Sequence, residues 1–80
     1  MSTLVRKYIS INPAICHGKP CFRGTRIPVS LILQMLEGGD SVSAILRGYP
    51  SLSKKAIQAA LEFASEVIDK NRLSARVLAA

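Results

Sequence analysis

Two arginines three residues apart, Arg23 and Arg26, flank Gly24-Thr25 in a segment punctuated by glycine and proline. Guanidiniums on a shaped loop can fork onto phosphate, enter a narrow minor groove or plug an acidic cleft. The alternative is a pair of arginines that bond backbone carbonyls and brace the turn. Lys19, in Gly18-Lys19-Pro20, adds a third positive charge to the same segment. A second basic group follows much later, at Ser53, Lys54, Lys55 and Gln58. Lysines suit phosphates or guanine, and a glutamine can pair with an adenine edge. The bland reading of this group is a solvated helix surface.

Catalytic and metal chemistry find little support. The chain has one histidine, His17, and no acid before Glu37, so no triad can be assembled from the N-terminal half. Cys16, His17 and Cys21 are one ligand short of a closed zinc site, and adjacent Cys16-His17 is poor spacing. Thr25-Arg26 follows Gly24 where a phosphate loop requires Lys-Ser/Thr. No catalytic residue, metal site or cofactor is therefore expected. The two cysteines read as structural or free thiols, because a disulfide is improbable in the cytosol.

The elements that must position these groups are legible from apolar spacing. Residues 5–11, Val-Arg-Lys-Tyr-Ile-Ser-Ile, are rich in β-branched and aromatic types. Val5, Ile9 and Ile11 would share one face, which predicts a short strand after a frayed N-terminus. Asn12-Pro13 breaks it, and residues 16–28 read as turns with short extended pieces at Cys21–Phe22 and Arg26–Ile27. Three helices follow. Val29 to Glu37 carries apolar residues at 29, 32, 33 and 36 and ends at Gly38-Gly39. Ser41 caps a second helix through Arg47, with Val42, Ile45 and Leu46 facing inward. Ser53 caps a third, from Lys54 to Asp69 or Lys70, with an inward stripe of Ile57, Ala60, Leu61, Ala64 and Ile68. Residues 71–80 either extend that helix or form a tail.

The expected fold is thus mainly α: a three-helix bundle with helix-turn-helix spacing behind a short extended N-terminal β arm. It is one domain over residues 1–80, with the basic arm and turns in 1–28 and the bundle in 29–70. The last two helices are separated by a short turn, as in proteins whose last helix enters the major groove. Lys54, Lys55 and Gln58 would then face out at its N-terminal end, with Ser53 at the cap and Arg47 on the preceding helix.

Charge supports a polyanionic partner. Eleven basic against five acidic residues give +6, and residues 1–36 hold five of those bases and no acid. Clustered positive charge suits nucleic acid, a membrane surface or an acidic protein cleft. No apolar run is long enough to span a membrane, so a cytoplasmic protein is expected. Eighty residues with four aromatics and no Trp make a thin core. That thinness, with a strand lacking an obvious partner in its own chain, points to a homodimer.

The run Ile11-Asn12-Pro13-Ala14-Ile15-Cys16-His17-Gly18-Lys19-Pro20-Cys21-Phe22-Arg23-Gly24-Thr25-Arg26-Ile27-Pro28-Val29 resembles the bacterial family called domain of unknown function 433. So do Leu36-Glu37-Gly38-Gly39-Asp40-Ser41, Ile45-Leu46, Tyr49-Pro50-Ser51-Leu52-Ser53 and Ile57-Gln58-Ala59-Ala60-Leu61. The resemblance covers residues 8 to about 68. Lys54-Lys55 depart from it, standing where members often carry an acid. The resemblance implies a homeodomain-like three-helix fold and a VapB-like antitoxin paired with a PIN-like ribonuclease toxin. It makes the chain a non-enzymatic regulator whose dimer binds operator DNA. Another surface, with Lys19, Arg23 and Arg26, would silence the toxin by reaching its metal-binding carboxylates. The rival expectations are a protein-interaction module that never touches DNA and a nonspecific nucleic-acid binder.

Overall fold

In the computed structural model, which describes residues 1–71, Ser2 opens a helix where the apolar pattern predicts a strand. Its Oγ accepts the Val5 N–H at 3.1 Å and so caps α1, Thr3–Tyr8. Leu4, Val5 and Tyr8 fall on one helical face, and Arg6 and Lys7 lie in the last turn, where the helix dipole favours cations. Isolated, six residues would not hold a helix. Packing along the last helix of the chain supplies the missing stability, so tertiary contact overrides the β propensity of Val5 and Tyr8. The expected arm over 1–28 is therefore not simply extended.

Only Ile9–Ser10, β1, is strand, and it pairs antiparallel with Cys21–Phe22, β2, in the register Ile9–Phe22 and Ser10–Cys21. The extended pieces expected at Cys21–Phe22 and Arg26–Ile27 do meet. The Phe22 N–H donates to the Ile27 carbonyl at 3.0 Å, across a turn in which Gly24 takes φ 80°. The strand thus finds its partner inside the chain, which removes the unpaired-edge argument for a dimer. Ile11, expected inward, is 59% exposed.

Between the strands the backbone coils through left-handed conformations at Cys16 and His17, with φ of 54° and 55°. This turn returns Cys16 to Cys21, and the two form a disulfide with Cα atoms 6.9 Å apart. The expectation of free thiols rested on compartment, which says nothing about proximity.

The three later helices occupy the expected positions: α2, Val29–Glu37; α3, Val42–Gly48; and α4, Lys54–Asn71. Gly39, at φ 99°, ends α2. Ser41 Oγ accepts the Ala44 N–H and Ser53 Oγ the Ala56 N–H, each at 3.1 Å, so both predicted caps are formed. Apart from Asn71, the tail or helix extension expected over 71–80 lies outside the described residues. Among the described residues the result is mainly helical, four α-helices with a small two-stranded sheet.

The core joins Val5 and Ile9 to Phe22, Ile32, Ile45, Leu52 and Ile57. On α4 the buried face is Ala56, Ile57, Ala59, Ala60 and Phe63, rotated from the expected stripe. Leu61 and Ile68 are 51% and 54% exposed. The cause is α1: it packs on a side of α4 that a chain with an N-terminal strand would have left bare.

Candidate nucleic-acid interface

The start of α4 is held by two kinds of bond. Besides the Ser53 cap, the Ser53 carbonyl accepts the Ile57 N–H at 3.2 Å. The apolar residues Leu52, Ala56 and Ile57 are buried, which fixes the helix rotation and forces Ser53, Lys54, Lys55 and Gln58 outward. All four are exposed, as their spacing predicts. No acid lies in this first turn, so two lysine charges add to the positive end of the helix dipole.

A cavity of about 250 Å³ opens beside this turn. Phe22, Leu52 and Ala56 form its apolar side, and Lys7, Tyr8, Arg23, Thr25, Ser51 and Ser53 supply its polar rim. The Lys7 Nζ stands 5.5 Å from the centre of the Tyr8 ring. Thr25 is committed to its own turn: its Oγ1 donates to the Phe22 carbonyl at 2.7 Å and accepts the Ile27 N–H at 3.0 Å. The rim includes no carboxylate. It is a positively charged, hydroxyl-bearing depression at the amino end of a helix, suited to a phosphate backbone.

Lys7 and Tyr8 come from α1, and a strand over residues 5–11 gives no reason to single them out. The signal that could have found them is Ser2 as a cap followed by apolar residues at 4, 5 and 8. Arg47 is exposed in the last turn of α3, on the element before the turn into α4, and does not line the cavity.

The other basic group divides. Arg23 takes the bracing alternative: its Nε and Nη2 donate to the Arg6 carbonyl at 3.2 and 2.8 Å, and Nη2 also reaches the Ile9 carbonyl at 2.9 Å. Its side chain remains exposed. Arg26 and Lys19 are exposed too, and neither lines the cavity at α4. The Arg26 carbonyl lies 3.4 Å from the Cys16 sulfur, and the Arg26 guanidinium is exposed. Among the described residues, no group of three or more His, Cys, Asp or Glu is placed to hold a metal, and no helix is long and apolar enough to cross a membrane.

The sequence model of the family described as protein of unknown function (DUF433) matches residues 9–64. The crystal structure of a DUF433 member protein from Anabaena variabilis ATCC 29413 superposes with a TM-score of 0.72 at 30% identity, over 85% of this chain and 70% of that one. An uncharacterized protein of Sinorhizobium fredii, y4eO, is 36% identical over 59 residues. That alignment takes in 74% of this chain and 27% of the relative, so the chain spans about a quarter of that protein's length.

Proposed function

The chain belongs to the DUF433 family, and from that premise we propose that it is a non-enzymatic, DNA-binding regulator of the antitoxin type. In this reading it is a cytoplasmic homodimer. Helices α3 and α4 act as a homeodomain-like helix-turn-helix, and α4 enters the major groove of operator DNA by its N-terminal end. Lys54 and Lys55 neutralise phosphates, Gln58 reads a base edge, and Ser53, Arg47 and Lys7 flank them.

The observation that carries the reading is the acid-free basic surface at the start of α4, to which Lys7 of α1 is added by folding. Acids on this helix begin only at Glu62, one to two turns further on, so the helix is polarised as a groove-reading helix is. The antitoxin half, with a PIN-like ribonuclease toxin as partner, rests on the family resemblance. Arg26 and Lys19 are the cations it offers free of backbone bonds, and Arg23 is braced through Nε and Nη2.

The test is retardation of the DNA upstream of the protein's own gene at several salt concentrations. Operator binding requires a steep salt slope and an affinity for that DNA at least about 10³-fold above unrelated duplex. Equal affinity for all duplexes would leave a nonspecific binder. No retardation at low salt would favour the rival module that binds only protein, which the exposed Leu61 and Ile68 on α4 suit.

A further inference from the structure

A second cavity, of about 290 Å³, lies on the other side of Arg23. Val5 of α1, Ile9 of β1 and Phe63 of α4 line it, and all three are buried. Ile11 lines it as well and is 59% exposed, so apolar surface continues from the cavity onto the outside of the molecule. The charged side chains lining it are Arg6 and Arg23. No carboxylate is among the lining residues.

We propose that this cavity is a docking site for a peptide segment of a partner protein that pairs an apolar side chain with neighbouring carboxylates. The apolar residue enters between Val5, Ile9 and Phe63. The carboxylates meet the guanidiniums of Arg6 and Arg23. Arg23 is prepared for this role by the bonds that brace it. Nε and Nη2 are held by the Arg6 and Ile9 carbonyls, while Nη1 makes no hydrogen bond among the described residues. A guanidinium already immobilised loses little conformational freedom when a carboxylate binds its open edge.

Three arguments select this occupant. The two guanidiniums favour negative charge, and no carboxylate lines the cavity beside them. The apolar lining disfavours a nucleic-acid backbone, which would place phosphates against Val5 and Ile9. The volume sits at the lower bound of about 300 Å³ for small-molecule sites, and a small acid would leave Ile11 uncovered. A polypeptide covers both. The proposal does not depend on α4 binding DNA: the two cavities share Arg23, and their other lining residues differ.

The test is titration of the isotope-labelled full chain with three synthetic peptides, followed by amide chemical shifts. The first alternates glutamate with leucine and phenylalanine. The second has glutamine for each glutamate, and the third alanine for each leucine and phenylalanine. The expected result is that the first peptide shifts the amides of Ile9, Ser10, Ile11 and Phe63. The other two bind at least about tenfold more weakly, and the Ile11→Glu and Arg6→Glu variants lower affinity for the first by a similar factor. Ile11 and Arg6 are exposed, so both variants keep the fold, which their own spectra report. Three outcomes overturn the proposal. They are no binding of the first peptide, equal binding of all three, and a DNA duplex that shifts these amides while the peptide does not.

Discussion

The Arg6 carbonyl oxygen receives two N–H groups of Arg23, a residue 17 positions further along the chain, at 3.2 and 2.8 Å. A third bond from Arg23 goes to the Ile9 carbonyl at 2.9 Å. One side chain thereby joins the end of α1, the start of β1 and the turn after β2. The last backbone carbonyls of a helix lack intrahelical donors, and Arg23 supplies donors to one of them.

Arg23→Ala is expected to lower stability by about 1–2 kcal/mol, since charge-assisted bonds are broken but the carbonyls regain water. Arg26→Ala, at an exposed site with no such bonds, stays within about 0.5 kcal/mol of the parent. Urea denaturation of both variants checks this. Equal destabilisation would remove the distinction between a bracing arginine and an unbraced one.

The Lys54→Ala/Lys55→Ala double variant is expected to melt with the parent, because both residues are exposed and alanine favours helix. On DNA it should bind more weakly to every sequence, and its salt slope should flatten by up to about two, one for each phosphate that is no longer neutralised. Retardation assays across a salt series measure both. An unchanged slope would take α4 off the DNA.

Val5→Ala and Ile11→Ala separate the helix from the predicted strand. A strand with both residues inward would suffer from either change. In the folded chain Val5 is 3% exposed and Ile11 59%, so Val5→Ala should cost about 2 kcal/mol and Ile11→Ala close to nothing. Thermal melts followed by circular dichroism decide between them.

Reduction of the Cys16–Cys21 bond should lower stability by about 2 kcal/mol, the loop-closure contribution for so short a ring. For a domain of this size that is about 10 °C in Tm. Melting with and without dithiothreitol is the measurement. Cys16→Ser should melt low in both conditions and show no response to the reductant.

Leu61→Glu/Ile68→Glu tests the homodimer. Both side chains are more than half exposed on α4, so the monomer fold should be unaffected. If copies associate through this face, sedimentation of the variant gives the 8.6 kDa chain while the parent sediments as twice that mass. A parent that is already monomeric ends the dimer reading.

Local signals in the chain specify α2, α3 and α4. Their caps, Ser41 and Ser53, their glycine stops and their apolar periodicity each lie within a few residues of what they control. The exposed Lys54, Lys55 and Gln58 are legible for the same reason. What depends on distant parts of the chain is not. Leu4, Val5 and Tyr8 are compatible with strand or helix, and the choice falls to helix because α4 offers a face to pack on. That same packing rotates the buried face of α4 and leaves Leu61 and Ile68 outside. It also carries Lys7 to the Ser53 turn, and it seats Arg23 on carbonyls that exist only once α1 has formed. Short-range hydrogen bonds are written in neighbouring residues. The place of a marginal helix is decided by burial, and burial is a property of the whole fold.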